Sequence, residues 1–207
     1  MSRGERARRD ILVAAERLIA EQGVQVPLRD IALAAGQRNN SAVNYYFRNR
    51  QELIDAIVRR RLEPMEHQRR LMLDSVDDAA RHDVARHDVD VLLRVMVLPL
   101  LSVDSAYYAR FLQAAALYLR TDADQTPDSV WPHVMEGLAR AVPTSDHAAR
   151  HRRVGAVATA MFALLADHER RIQTDPRTAG TADEIVAMLA AMLTAPVPAR
   201  AQSTVSR

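Results

Sequence analysis

The stretch GQRNNSAVNYYFRNR, Gly36 to Arg50, gathers chemistry found together nowhere else in the chain. It holds the amides Gln37, Asn39, Asn40 and Asn44, the consecutive rings Tyr45, Tyr46 and Phe47, and the arginines Arg38, Arg48 and Arg50. Wound as a helix with Val43 at the centre of its inward face, it places Tyr46 and Phe47 beside Val43, within about 60° on either side. Ser41, Asn44, Tyr45 and Arg48 then share the outward face. Asn can donate and accept at an adenine edge, Arg suits guanine or phosphate, and Tyr offers a hydroxyl and a ring. Arg50, at the start of the next helix, is placed to reach a phosphate. The competing reading is a solvated, amide-rich face on a small helical bundle.

Other constellations carry less. The dipeptides His82–Asp83 and His87–Asp88 suggest the metal-binding pair of HD-type helical phosphohydrolases. Their five-residue spacing, however, turns the two His about 140° apart on a helix, and both lie in a charged segment. His147 and His151 share a face at i, i+4, but no Glu or third ligand accompanies them as in a zinc protease helix. There is no Cys, which excludes thiol catalysis and Cys-based zinc sites. No nucleophile motif or phosphate loop is present. The sequence is not that of an enzyme, and it calls for no cofactor or metal.

Charge distribution points the same way as the opening stretch. All 28 basic side chains are Arg, and the net charge is only +2. Residues 1–61 hold 12 Arg against 7 acidic residues, whereas residues 62–207 hold 16 Arg against 19. A basic first third and a mildly acidic remainder suggest a polyanion partner confined to one end. The N-terminus never becomes the apolar run of a signal peptide. The stretches VMVLPLLSV and TAMFALLA are too short to span a bilayer. A soluble, cytoplasmic protein with no membrane partner is expected.

The elements that position these residues read as helices throughout. Gly is scarce, Ala, Leu, Arg and Met are plentiful, and no alternating strand pattern or hairpin signal occurs. The fold class is all-α. Ser2 and Glu5 have capping-box spacing; Ile11, Leu12, Ala15, Leu18 and Ile19 share one face, and Gly23 supplies a stop. A second helix follows Pro27 and ends at Gly36. The third starts near Asn39 or Asn40, both good N-caps. The fourth starts at Asn49, and Pro64 is expected to kink or break it. Further helices are expected near 65–80, 86–102, 104–120, 129–142, 145–172 and 181–195, divided by turn-rich segments.

The segment RRDILVAAERLIAEQGVQVPLRDIALAAGQRNNSAVNYYFRNRQELIDAI resembles the N-terminal domain of the TetR family of bacterial transcriptional regulators. The likeness rests on the first helix ending in Gly23, on RDIALAAG, on YYF closing the third helix and on a basic residue followed by QEL. It implies a helix-turn-helix domain over 1–50, a helical effector-binding and dimerisation domain over 51–195, and a flexible tail over 196–207. The candidate DNA contacts are Arg29, Arg38, Asn39, Asn40, Ser41, Asn44, Tyr45, Tyr46, Arg48 and Arg50. The chain departs from the usual pattern by one extra residue between Gly36 and Phe47, placed in the GQRN turn. Asn44 stands where a Tyr is common, Arg50 where a Lys often opens the fourth helix, and Pro27 where a Thr often starts the second. An architectural DNA-binding protein is the remaining alternative, but it leaves the helical body unexplained.

In the C-terminal two thirds, periodicity carries the reading. Over 145–172, Val154, Ala158, Met161 and Leu165 form a large-apolar stripe opposite the small residues Gly155, Thr159, Ala163 and Ala166. The last helix sets Ile185, Met188, Leu189 and Met192 against Ala187, Ala190, Ala191 and Thr194. Such two-faced helices can be buried on both sides, and the resemblance implies a homodimer interface on the small faces. Met96, Leu100, Tyr107, Phe111, Tyr118, Trp131, Met135 and Phe162 are the candidate walls of a pocket for a hydrophobic or aromatic effector. The function expected is a ligand-responsive repressor released from its DNA operator.

Overall fold

A computed structural model of the protein describes residues 2–37, 39, 42–79, 89–119 and 129–197. Among the described residues every regular element is helical. The elements are α1 Arg3–Gln22, α2 Leu28–Ala34, α3 Ala42–Tyr46, α4 Arg50–Ala79, α5 Val89–Leu101, α6 Tyr108–Ala115, α7 Trp131–Ala141, α8 His147–Thr174 and α9 Ala182–Thr194. The His82–Asp83 and His87–Asp88 dipeptides and the segment from residue 198 onward lie outside the described residues.

Local chemistry sets the helix ends. The Ser2 hydroxyl accepts the Glu5 N–H while the Glu5 carboxylate accepts the Ser2 N–H, a complete capping box on α1. Gly23 ends α1 with φ of 87°. At the end of α2, Gly36 has φ of 68°. Its N–H reaches the Leu33 carbonyl, and the next N–H, of Gln37, reaches that of Ala32. This is the Schellman pattern, and its left-handed residue favours glycine. Asn49 Oδ1 accepts the Glu52 N–H and caps α4.

α4 is one helix of 30 residues with Pro64 inside it, so the expected break does not occur. Proline removes one N–H and crowds the carbonyl four residues back. Here Pro64 and Arg60 are both exposed, so the proline lies on the solvent side of the helix. Ala56 and Ile57 before Pro64 and Met65 after it are buried, which holds both halves of the helix to the core. A second difference lies at α6, which starts at Tyr108 rather than 104 and gives way to a 3-10 turn at Ala116–Tyr118. The residues before it are committed elsewhere: the Ser105 hydroxyl bonds Glu16 and accepts the Tyr107 N–H.

Nearly all the buried apolar residues form one contiguous cluster. Ile11, Ile19, Ile31, Val43 and Phe47 close the small head made by α1, α2 and α3, and Leu53, Ile54 and Ile57 of α4 complete it. Leu92, Leu93, Tyr108, Phe111, Leu165 and Leu189 form the centre of the body. Helix α6 packs on both α1 and α8, which makes it the principal link between head and body. No helix among the described residues is long and apolar enough to cross a membrane.

Candidate nucleic-acid interface

Helix α3 has the two faces its sequence suggests. Val43 and Phe47 are each 1% exposed, while Tyr45 is 83% exposed and Asn44 and Arg48 lie on the surface. Burying Val43 and Phe47 fixes the helix against α1 and α2 and leaves Asn44 and Tyr45 aimed outward. Tyr46 is half-buried and packs on the core. Its ring meets that of Tyr45 edge to face, with centroids 5.0 Å apart, which limits the freedom of the exposed ring. The Arg8 guanidinium lies 5.1 Å over the Phe47 ring, so α1 also braces the end of α3. A surface cleft of about 470 Å³ is lined by Gln37, Asn39, Ala42, Asn44, Tyr45 and Tyr46.

The other candidate contacts divide by position. Asn39 is exposed, and its carbonyl accepts the Ala42 N–H at the start of α3. Arg29 is exposed on α2 and pairs with Asp30 at 3.3 Å. Arg50 is half-buried, and its Nη1 donates to the Val24 carbonyl at 2.5 Å. That bond ties the start of α4 to the α1–α2 loop, so Arg50 has a structural task besides any phosphate contact. Arg38, Asn40 and Ser41 lie outside the described residues.

The head is fastened to the body by side chains that the sequence reading did not single out. Glu16 on α1 is 4% exposed. Its carboxylate receives Arg61 Nη2 at 3.3 Å on both oxygens, and the Ser105 hydroxyl. Arg61 Nη1 also donates to the Asp104 carbonyl at 3.2 Å, and the guanidinium carbon lies 5.8 Å from the Tyr108 ring. Burial, with Glu16 nearby, pushes the Tyr108 hydroxyl above its ordinary range. Tyr118, expected in a pocket wall, instead faces the head. Its hydroxyl accepts from Gln25 Nε2 at 2.9 Å and its carbonyl from Gln51 Nε2 at 2.7 Å. One signal was available: Glu16 sits four residues after Leu12 and three before Ile19, a charge on an apolar stripe.

The other pocket candidates are distributed through the body. Met96, Leu100 and Phe111 are buried core; Met135, Phe162 and Trp131 are half-buried against it. Tyr107 precedes α6, with the Arg110 guanidinium 5.0 Å from its ring. Glu169 of α8 caps α6, accepting the Ala109 and Arg110 N–H groups at 3.0 and 3.1 Å.

The helix faces of α8 and α9 need correction. Gly155 and Thr159 are exposed and Ala163 half-buried, but Ala166 is 0% exposed and belongs to its own core. On α9 the buried residues are Ile185, Val186, Leu189 and Leu193. Met188 and Met192 therefore turn outward, 46% and 39% exposed, beside the exposed Ala187, Ala191 and Thr194, with Ala190 half-buried. The error was one of phase: Val186 and Leu193 compete for the core, and they rotate the buried stripe away from the methionines. The Thr159 and Thr194 hydroxyls fold back onto the Gly155 and Ala190 carbonyls. Arg153 Nη1 donates to the Met192 and Ala195 carbonyls, fastening α8 to the end of α9.

Two short helices, the first closed by a glycine at Gly36 and the second anchored by apolar residues and showing an amide and a ring outward, define a helix-turn-helix head on a body that is helical among the described residues. Residues 11–57 match the family model described as bacterial regulatory proteins, tetR family. Over that span the chain is similar to the helix-turn-helix domain of the tetR family of bacterial regulatory proteins. No curated protein matches the chain. Among the described residues no group of three or more His, Asp or Glu could hold a metal. His147 and His151 face each other across one turn of α8, Nε2 to Nε2 at 3.2 Å.

Proposed function

We propose that the protein is a sequence-specific, ligand-responsive transcriptional repressor that binds its operator as a homodimer. The observation that carries this reading is the exposure of Asn44 and Tyr45 on α3 and of Arg48 just past its end, while Val43 and Phe47 are buried on the other side. Asn44 and Tyr45 would read base edges, while Arg29, Arg38, Asn39, Asn40, Ser41, Tyr46, Arg48 and Arg50 would position the head on the backbone and groove walls.

Dimerisation is supported by the outer face of α8 and α9. Gly155, Thr159, Ala187, Met188, Ala191 and Met192 make it small and apolar, and the folded-back threonine hydroxyls leave methyl groups outward. Two such faces can pack as a four-helix bundle and present two heads to successive major grooves. Residues 1–50 serve as reading head, 51–195 as effector and dimerisation body, and 196–207 as a tail; α4 is shared, since its first turns complete the head core. A ligand in the body that shifts α6 or α4 would move both heads. Because both must fit at once, a small change in their separation lowers affinity by more than one contact is worth.

The test is titration against DNA from immediately upstream of the protein's own gene and against random DNA of equal length, at two salt concentrations. Tight, salt-sensitive binding to the upstream DNA alone supports the reading. Absence of binding at low salt by the folded protein removes it.

A further inference from the structure

A buried ion pair lies on α4 beyond Pro64, away from the head. Glu66 and Arg69 are 5% and 4% exposed, and Arg69 Nη1 donates to Glu66 Oε1 at 2.6 Å. Their neighbours at helical spacing, Met65 and Leu73, are buried and apolar. Taking such a pair out of water is compensated only when the remaining donors and acceptors also find partners. Glu66 meets that condition: its Oε2 receives the Val130 N–H at 3.0 Å and the Ser129 hydroxyl at 3.3 Å. Arg69 does not. A guanidinium has N–H donors on all three nitrogens, yet Arg69 uses only Nη1, and its Nε is enclosed with no partner. The Trp131 ring lies 5.6 Å from the guanidinium carbon. A ring face attracts the cation but supplies no acceptor in the guanidinium plane. The junction of α4 with the start of α7 is therefore rich in donors and short of one planar acceptor.

The guanidinium edge carrying Nε and Nη2 matches the two oxygens of a carboxylate. We propose that this junction binds a small organic acid, a carboxylate on an apolar or aromatic body, with Arg69 as its anchor and Trp131 beside it. The proposal rests on the ligand-responsive reading above and names the chemistry of the ligand. It also gives a route to the head: Arg69 and Arg50 belong to one unbroken helix. An acid drawing Arg69 from Glu66 loosens the hold of Glu66 on Ser129 and Val130, at the start of α7, and acts on the helix that completes the head core.

Trp131 is the only tryptophan, so its fluorescence reports on the junction without labelling. The full chain is titrated with benzoate, 1-naphthoate and octanoate, and with the primary amide of each, while release of bound DNA is followed in parallel. The expected result is a saturable change with at least one acid, about tenfold tighter than with its amide, abolished in Arg69→Met. Because Arg69→Met leaves Glu66 buried and alone, the double variant Glu66→Gln/Arg69→Met serves as the folded control. Acid and amide binding alike, a preference that survives both variants, or no response to any compound each overturns the proposal. Release of DNA by a neutral compound with no acid bound would sink the acid anchor and leave the ligand-responsive reading standing. Acid binding at Trp131 with DNA affinity unchanged would do the reverse.

Discussion

Removing the Arg61 guanidinium should destabilise the protein by about 3 kcal/mol. Glu16 is 4% exposed between α1 and the segment leading into α6, and Arg61 supplies its only ion pair among the described residues. In Arg61→Met the carboxylate stays buried with the Ser105 hydroxyl alone. Breaking a buried pair by deleting one partner costs roughly 3–5 kcal/mol. Arg61 keeps 16% of its side chain exposed and its contacts to Glu16 are 3.3 Å, long for a charge-assisted bond, so the lower end applies. Urea unfolding at fixed protein concentration measures the loss. Replacing both charges, Glu16→Leu/Arg61→Met, should recover most of it, to within about 1 kcal/mol of wild type. Arg29→Ala, whose pair with Asp30 is on the surface, should change stability by less than about 0.5 kcal/mol. An Arg61→Met protein within about 1 kcal/mol of wild type, or a double variant worse than the single, would refute the claim that this pair fastens head to body.

Three further outcomes are expected. Gly36→Ala meets open space but keeps φ of 68°, so it should cost about 1–2 kcal/mol in urea unfolding; a neutral effect would mean the turn relaxes freely. Met192→Glu, on the outer face of α9, should convert the proposed dimer to monomer in sedimentation with helix content retained, and an unchanged mass would clear that face of any role. The Asp175 carboxyl titrates below its ordinary value because the Arg177 side chain and N–H both bond to it. Its contribution to stability is therefore present above the ordinary aspartate value and disappears as pH falls through the lower folded one. NMR titration should show the midpoint rising in Arg177→Met; no movement would assign the shift elsewhere.

What was legible in the sequence was local. Ser2 with Glu5, Gly23, Gly36 and Asn49 act within a turn of where they stand, so their spacing reveals the helix ends. The same holds for α3, where Val43 and Phe47 set the buried face and expose Asn44. What escaped depends on distant partners. Pro64 reads as a breaker until the burial of Ile57 and Met65 is known, and Tyr118 reads as a pocket wall until Gln25 and Gln51 reach it from the head. Glu16 and Arg61 are 45 positions apart, beyond any helical period. On α9, four apolar residues fit either phase, and only the packing against α5 and α8 decides that Met188 and Met192 face out.

The central claim is that α3 reads DNA through Asn44. The measurement that tests it most directly is a base-by-base affinity profile of wild type and Asn44→Ala on an operator selected from random DNA, at one fixed salt concentration. Reading by Asn44 predicts a two-fold symmetric site in which the variant loses discrimination at one position of each half-site, by about 1–3 kcal/mol. The other positions should keep their preferences. A profile identical to wild type, at equal affinity, would contradict it and leave the exposed face of α3 as a solvated surface.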